Sequence, residues 1–311
     1  MTILITGSAG FIGSHCAEAF VQAGHRVIGL DNFDAYYDPR IKHRTAAMLA
    51  DTYQVKTYTG DCRDTAFLVK CIQDNRVTSV IHLAALAGVR NSLETPQAYY
   101  SVNVMGTLSV CEAARQTGIQ KILLASSSSV YGNNKQIPFA ETHAVDHPIS
   151  PYAASKKATE LLAYSYYHLY QLPIACLRFF TVYGPRQRPE MAIHRFARAI
   201  QAGERIPVYN QGLCERDYTY SHDITAGIMA VWSAAFKYDI INLGSGTVVS
   251  TLTMIQTLEK YLNKPAYCDL LPAQPGDVDR TYASLAHAKA VYGYAPQVTL
   301  DAGIARFVET L

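Results

Sequence analysis

The sequence predicts an α/β protein built on a doubly wound parallel sheet, with a smaller, interleaved α/β domain. Three observations support this: an apolar run at residues 2–6 leads into three glycines, apolar runs then alternate with helix-like segments, and the alternation loosens beyond about residue 180. Parallel strands need crossover connections, which helices usually supply. We expect the sheet domain to comprise residues 1–179 and about 217–244, and the second domain about 180–216 and 245–311.

Composition excludes several classes of protein. The 311 residues are 49% hydrophobic and 17% charged, which is typical of a globular chain. The 27 Lys and Arg nearly balance the 25 Asp and Glu, so we expect no nucleic-acid partner. No stretch approaches the ~20 apolar residues of a membrane span. Seven cysteines without a Cys-x-x-Cys pair argue against a disulfide framework or zinc cluster, and we expect a cytoplasmic protein without a metal.

The first element is a strand at residues 2–6, followed by the glycine run and a helix that continues to about residue 23. The run contains Gly7, Gly10, Phe11, Ile12 and Gly13. Glycines between a strand and a helix let backbone amides approach a pyrophosphate closely. The Gly-x-x-Gly-x-x-Gly spacing departs from the usual Gly-x-Gly-x-x-Gly pattern, and the alternative to a dinucleotide loop is a tight turn.

The second strand, at residues 26–30, ends directly at Asp31. An acidic residue about 20 positions beyond the glycines holds the adenosine ribose hydroxyls and repels a 2′-phosphate. This position therefore favours NAD over NADP.

Further strands near residues 54–58, 79–83 and 121–125 alternate with helices near residues 65–73 and 96–117. Parallel sheets bind ligands at the carboxyl ends of their strands. The segments that follow these strands contain Asp61, the small residues at positions 84–88 and the four serines at positions 126–129. A serine hydroxyl at a strand end can hold a substrate hydroxyl or relay its proton, although four serines also suit a solvated loop.

Tyr152 and Lys156 lie four residues apart at the start of a predicted helix, so their side chains share a face. To act as a base near neutral pH, tyrosine needs its pKa lowered by roughly three units, or about 4 kcal/mol, and a nearby cation supplies part of this. Tyr131 and Lys135 have the same spacing, but the intervening Gly-Asn-Asn is typical of a turn. The spacing alone does not distinguish a catalytic pair from a chance one. The position of Tyr152 after the fifth strand favours a catalytic role.

Together these motifs resemble the extended short-chain dehydrogenase/reductases, and within them the NAD-dependent nucleotide-sugar epimerases. The likeness extends through nearly the whole chain. The sequence resembles UDP-glucuronate 4-epimerases most in four segments, at positions 30–39, 87–90, 178–185 and 188–192. The resemblance implies that the sheet domain binds NAD and that the second domain binds a UDP-sugar.

The resemblance also implies the roles of individual residues. It makes Tyr152 the catalytic base and acid, Lys156 its pKa modulator and a ribose ligand, and Ser127 their hydroxyl partner, with Ser128 as the alternative. Asn103 is implied to lie near the active site. The implied NAD-binding residues are Gly7, Gly10, Phe11, Ile12, Gly13, Asp31, Asn32, Asp61, Cys62, Leu83, Ala84, Ala85, Ala87, Tyr152 and Lys156. The implied substrate-binding residues are Arg90, Ser127, Ser128, Thr181, Arg188, Tyr209, Arg216 and Asp277.

Two departures from the family pattern bear on the substrate. Ser221-His222-Asp223 replaces a more usual hydrophobic-Asp-Asp, and Arg280 interrupts the stretch after Asp277. We interpret His222 as a helix-start residue, and Arg280 leaves the identity of the sugar open. The chain then closes with helices near residues 251–262 and 301–311.

The expected reaction is inversion of C4 of a UDP-sugar through a transient 4-keto intermediate, with UDP-glucuronate converted to UDP-galacturonate. Ser128 and Ser129 occupy positions where related dehydratases and decarboxylases carry carboxylates, so we expect hydride transfer and return alone. One alternative is a 4-epimerase of a neutral UDP-hexose or UDP-N-acetylhexosamine. Another is a non-catalytic NAD-sensing protein, which would not need Ser127, Tyr152 and Lys156. The family implies a homodimer formed through the helices that begin near residues 96 and 152.

Overall fold

The computed structural model describes residues 1–273 and 278–311. Its strands are β1 (Thr2–Thr6), β2 (Arg26–Asp31), β3 (Lys56–Thr59), β4 (Ser79–His82), β5 (Lys121–Ser127), β6 (Ile174–Phe179), β7 (Thr181–Tyr183), β8 (Arg205–Val208), β9 (Glu215–Arg216), β10 (Tyr218–Tyr220), β11 (Tyr238–Leu243), β12 (Val249–Ser250) and β13 (Tyr267–Leu270). Its α-helices are α1 (Phe11–Gln22), α2 (Pro39–Tyr53), α3 (Thr65–Asn75), α4 (Val89–Glu94), α5 (Pro96–Tyr99), α6 (Gly106–Thr117), α7 (Pro151–Tyr170), α8 (Ala192–Ala202), α9 (Ser221–Ser233), α10 (Thr251–Leu262), α11 (Ala286–Tyr292) and α12 (Leu300–Val308).

The chain forms two compact units. Unit 1 comprises Met1–Gly132, Ala144–Arg178 and Ile228–Ile241, and unit 2 comprises Asn133–His143, Phe179–Gly227 and Asn242–Leu311. Both units are therefore built from separated segments of the sequence. The binding role of each unit stays a prediction.

A seven-stranded sheet forms the centre of unit 1, in the order β11-β6-β5-β4-β1-β2-β3. The five strands from β5 to β3 pair in parallel. The order reverses between β1 and β4, where chain connections leave in opposite directions and a crevice opens at the carboxyl ends. The predicted doubly wound sheet is confirmed, and its core contains aliphatic side chains such as Leu4, Val80 and Leu124.

Unit 2 is built from short two-stranded pairs and helices. Strand β10 pairs with β7 and β13 with β8 in parallel, whereas β12 pairs with β9 in the antiparallel direction. Its core includes Tyr183, Phe196, Met254 and Phe307. The loosening of strand alternation after residue 180 corresponds to these shorter elements.

The helix predicted over residues 96–117 is interrupted. Helix α5 leads into a π-helical segment, Tyr100–Met105, before α6 begins. Within this segment the carbonyl of Asn103 accepts a hydrogen bond from Thr107 Oγ1 at 2.6 Å. A Cβ at Gly106 would lie 2.7 Å from Cys62 Sγ, so a glycine lets the helix pass close to the end of β3. Wide helical turns of this kind often occur at functional sites.

None of the helices within residues 1–273 and 278–311 is both long and apolar enough to cross a membrane. In the same part of the chain, no cluster of three or more His, Cys, Asp or Glu side chains is arranged to hold a metal ion.

Candidate active site

The glycine loop packs against the segment that follows β4. Gly7 has φ +70°, and a Cβ there would lie 2.8 Å from the backbone nitrogen of Ala84. A Cβ at Gly13 would lie only 2.1 Å from the carbonyl oxygen of Gly7. Gly10 precedes α1, whose first residues are Phe11 and Ile12. The three glycines therefore close a tight turn that exposes backbone amides at a helix N-terminus, a cradle that fits a pyrophosphate.

The Asp31 carboxylate lies beside this loop at the end of β2. It accepts hydrogen bonds from the backbone amides of Ala9 at 3.1 Å and Phe33 at 2.9 Å. Burial raises the pKa of Asp31, and the bond from Phe33 partly opposes this effect. The carboxylate is thus fixed at the end of β2 beside the glycine loop, and its contact with a ribose stays a prediction.

Asn32 and Asp61 meet at the neighbouring edge of the sheet. Asn32 Nδ2 donates to Asp61 Oδ2 at 3.5 Å, and Arg63 forms an ion pair with the same carboxylate at 2.7 Å. The hydrogen bond from Arg63 holds the pKa of Asp61 below its ordinary value. The following residue, Cys62, is buried, and burial raises the pKa of its thiol to about 12. Cys62 is therefore an uncharged packing residue at neutral pH.

The segment 83–88 is joined to helix α7 through Asn103. Asn103 bonds both backbone groups of Leu86, through Oδ1 at 2.9 Å and Nδ2 at 3.0 Å. Its Nδ2 also donates to Ser155 Oγ at 2.9 Å, and Ser155 Oγ donates to the carbonyl of Tyr152 at 2.7 Å. The predicted NAD-binding residues of this segment, Leu83, Ala84, Ala85 and Ala87, thereby hold a defined position beside α7.

Helix α7 begins where the sequence predicts. Ser150 caps it by accepting a bond from the Ala153 amide at 3.1 Å, and Pro151 is its first residue. Tyr152 and Lys156 are therefore one turn apart on a regular helix. The ring of Tyr152 makes an edge contact with that of Tyr99, with the centroids 6.1 Å apart.

The Lys156 ammonium is buried, with the residue 5% exposed, and donates to the carbonyl of Ala125 at 2.8 Å. Burial lowers its pKa to about 8. A cation in this environment interacts strongly with a phenolate one turn away, because little solvent screens the charge.

The four serines at the end of β5 have different partners. Ser127 Oγ accepts from the Ser129 amide at 3.1 Å and contacts Ser129 Oγ at the same distance. It thereby caps a 3₁₀ turn, Ser128–Tyr131. Ser126 Oγ instead donates to Glu160 Oε1 at 2.6 Å, a partner that the sequence analysis missed. The available signal was the position of Glu160, one turn beyond Lys156.

The remaining predicted substrate residues lie on several elements. Arg90 is exposed on α4 in unit 1. In unit 2, Thr181 begins β7, and Arg188 pairs with Glu190 at 3.2 Å. Tyr209 begins the 3₁₀ turn Tyr209–Gly212 after β8. Asp277 lies outside the described residues.

The β9 segment carries Arg216, whose Nη1 donates to the carbonyls of Glu215 at 3.0 Å and Asp279 at 3.4 Å. Arg280 forms an ion pair with the Glu215 carboxylate. The Arg280 guanidinium therefore has a counter-charge on the residue before Arg216, and the effect of Arg280 on the substrate stays a prediction.

Asp217 organises the backbone around Arg216. Its buried carboxylate accepts bonds from Thr219 Oγ1, from the amide and hydroxyl of Ser245, and from the amides of Gly246 and Ala283. The sequence did not mark this residue as functional. His222 is exposed at the start of α9, as expected.

A glycine loop at the switch point of a parallel sheet, with Tyr152 and Lys156 on the helix that follows β5, defines an extended short-chain dehydrogenase/reductase. The family model described as GDP-mannose 4,6 dehydratase matches residues 4–307, and the chain belongs to this family. The family predicted from the sequence is thus confirmed.

Similarity to individual proteins points to one group within this family, the UDP-sugar 4-epimerases. The chain is 40% identical to a probable UDP-glucuronate 4-epimerase of Rhizobium meliloti, over 99% of this chain and 96% of that protein. A crystal structure of UDP-glucuronic acid 4-epimerase from Bacillus cereus, in complex with UDP-glucuronic acid and NAD, has a TM-score of 0.94 and 34% identity, and covers 100% of this chain and 98% of that one. A UDP-glucose 4-epimerase from Thermus thermophilus in complex with NAD has a TM-score of 0.90 and 31% identity, covering 100% and 98%.

Proposed function

We propose that this protein is an NAD-dependent 4-epimerase that converts UDP-glucuronate to UDP-galacturonate. The observation that carries the proposal is similarity over nearly the full length to proteins named UDP-glucuronate 4-epimerases. The buried Lys156 one turn from Tyr152 supplies the chemistry that this reaction needs.

The residues of unit 1 fit NAD. The glycine cradle would hold the pyrophosphate, Asp31 the adenosine ribose, Asn32 and Asp61 the adenine side, and Lys156 the nicotinamide ribose. When bound there, NAD⁺ would supply the hydride acceptor for C4 of the sugar and, once reduced, the hydride donor to the opposite face of the 4-keto group. Gly7 packs so closely on the backbone of Ala84 that only a residue without a Cβ fits there.

Tyr152 acts as base and then as acid at the sugar 4-hydroxyl. The proton leaves the hydroxyl for the Tyr152 phenolate as the 4-keto group forms, and the same proton returns after the sugar turns over. Lys156 stabilises the phenolate as long as it carries its charge. Because its pKa is about 8, the cation dominates at neutral pH and is lost as the pH rises further.

The substrate residues would act through two kinds of contact. Hydroxyls of Ser127, Ser128 and Thr181 would hold the sugar, including its carboxylate, by neutral hydrogen bonds. Arg216 would bind the diphosphate, for which guanidinium geometry is well suited, while Arg90 and Arg188 add positive charge. Tyr209 would lie on the uracil side. Asp277, outside the described residues, is assigned to the uridine ribose by the family pattern alone.

Product analysis tests the proposal. Purified protein is incubated separately with UDP-glucuronate, UDP-glucose and UDP-N-acetylglucosamine, and the 4-epimers are separated by chromatography. We expect turnover of UDP-glucuronate without net release of NADH, and no turnover by the Tyr152→Phe variant although it still binds NAD. Preference for a neutral sugar would favour the alternative reaction, for which the Thermus thermophilus structure is the supporting observation. Binding of NAD without turnover of any of the three sugars would favour the second alternative, a non-catalytic NAD-sensing protein.

We also propose that the protein acts as a homodimer. Helix α7 exposes Leu161 and Tyr164, which are three residues apart on one face, and the π-helical segment packed against α7 exposes Tyr100 and Met105. Sedimentation velocity should show a dimer that Leu161→Glu dissociates, whereas Leu213→Glu, which changes an exposed leucine of unit 2, should not. A wild-type monomer would refute this part of the proposal.

We assign the protein to the cytoplasm. The support is chemical: its seven cysteines are all free thiols, as is usual in a reducing compartment. Recovery of the native protein with the membrane or secreted fraction would contradict this assignment.

A further inference from the structure

A buried network of charged and hydroxyl groups lies one helical turn beyond Lys156. Glu160 on α7 and Arg178 on β6 are each 1% exposed. Arg178 Nε and Nη2 donate to the two carboxylate oxygens of Glu160 at 2.8 and 2.9 Å. Ser126 donates to the same carboxylate, and Arg178 Nη1 donates to the hydroxyl of Tyr131 at 2.9 Å.

The members of this network adjoin the proposed catalytic groups along the chain. Ser126 immediately precedes Ser127 at the end of β5. Tyr131 closes the 3₁₀ turn that begins directly after Ser127. Glu160 is four residues beyond Lys156, on the same face of α7. The network therefore connects the strand, the turn and the helix that carry Ser127, Tyr152 and Lys156.

Stability alone is a weak reason for this arrangement. Two charges in the interior lose their hydration, and apolar side chains of similar volume often stabilise a core equally well or better. Burial opposes the charge of Arg178, but the bond from Arg178 to Glu160 outweighs this effect and its pKa is raised. Arg178 thus keeps its charge beside the Glu160 carboxylate. Two parallel hydrogen bonds also fix distance and direction, which apolar contacts do less strictly.

We propose that Glu160 and Arg178 are positioning residues for the epimerase reaction: they hold the end of β5 and its serine turn against α7, so that Ser127 and Tyr152 address the same sugar hydroxyl. This inference rests on the proposed function. A displacement of about 1 Å in a catalytic group can cost about 100-fold in rate. The network should therefore act on kcat, whereas binding of the UDP moiety and of NAD depends on other residues.

The test separates positioning from stability. The double variant Glu160→Leu/Arg178→Met removes both charges and keeps apolar volume, and Ser126→Ala removes one hydroxyl and leaves the ion pair. The control is Asp74→Asn, which breaks an exposed ion pair with Lys70 on α3. For each we measure kcat and KM for UDP-glucuronate, the deuterium isotope effect with substrate labelled at C4, the bound NAD, and the urea midpoint of unfolding.

We expect the double variant to fold and to retain NAD, with KM unchanged within about twofold, while kcat falls by about 10- to 100-fold. The isotope effect should increase, because hydride transfer becomes rate-limiting. Ser126→Ala should show a smaller fall in kcat, and Asp74→Asn none.

A double variant that is folded and retains wild-type kcat overturns the proposal. If that variant does not fold, Ser126→Ala decides, and an unchanged kcat and isotope effect overturn the proposal. The proposed function fails differently: wild-type protein would not turn over UDP-glucuronate, or Tyr152→Phe would remain active. The first result would overturn both inferences, and the second would remove only Tyr152 from the mechanism.

Discussion

Replacement of Lys156 by methionine should stabilise the folded protein while it abolishes catalysis. Methionine keeps the length and apolar stem of the side chain and removes the ammonium. In the wild-type protein that ammonium is buried, and the single hydrogen bond described for it runs to the carbonyl of Ala125. Removal of the charge therefore relieves the desolvation cost of a buried ammonium.

The magnitude follows from the pKa. Burial lowers the pKa of Lys156 from 10.5 to about 8, and at 1.36 kcal/mol per unit this corresponds to about 3 kcal/mol of destabilisation whenever the amine is protonated in both states. The bond to Ala125 returns about 1 kcal/mol, which the variant loses. The free energy of unfolding of Lys156→Met should thus exceed the wild-type value by about 2 kcal/mol at pH 7.

The same pKa shift also predicts how the effect changes with pH. The pKa of this cation is lower in the folded than in the unfolded state, so the penalty is complete below pH 8. It declines as the pH rises from about 8 to 10.5, where the folded protein holds a neutral amine. The advantage of the variant should therefore shrink steadily across this interval.

Urea unfolding of cofactor-free protein, monitored by circular dichroism at several pH values, measures this difference. Lys70→Met is the matched control, because Lys70 is exposed on α3. Turnover of UDP-glucuronate should fall by at least about 100-fold in Lys156→Met, the usual order for loss of assisted proton transfer. Equal or lower stability of the variant at pH 7, or an advantage that does not change with pH, would refute the reasoning.

Three further substitutions test other parts of the structure. Gly13→Ala places a Cβ 2.1 Å from the Gly7 carbonyl, so calorimetry should show at least about 10-fold weaker NAD binding; unchanged affinity would disprove the tight cradle. Ser150→Ala removes the cap of α7 and should lower the free energy of unfolding by about 1 kcal/mol in urea, with no loss contradicting the capping role. Asp217→Asn leaves buried amides poorly paired and should cost about 2 kcal/mol in thermal unfolding, whereas an unchanged midpoint would argue against its organising role.

The sequence was most informative where chemistry depends on residues close together along the chain. The glycine loop and the turn between Tyr152 and Lys156 are local patterns. The regular geometry of one strand or helix therefore fixes where these residues lie relative to each other. Asp31 was predictable for the same reason, because it directly ends a buried strand. Each of these expectations needed only one element and its neighbour.

Contacts between distant segments were not predictable in this way. Glu160 and Arg178 are 18 residues apart on different elements, and nothing in their spacing indicates a mutual bond. The donors to Asp217 come from positions up to 66 residues away. The bonds from Asn103 to Leu86 and Ser155 likewise join positions 17 and 52 residues apart. Such features follow from packing, which one sequence does not specify on its own.

Helix α7 carries two buried charged side chains whose desolvation disfavours folding, and they lie on consecutive turns. Lys156 is a buried cation, and Glu160, one turn later, is a buried anion paired with Arg178. Either feature could be replaced by apolar side chains with little loss, or even a gain, in stability. Their presence on consecutive turns of one helix is therefore difficult to explain by folding alone. It is explained if the first turn supplies the charge that the Tyr152 phenolate needs and the second holds Ser127 where that phenolate acts.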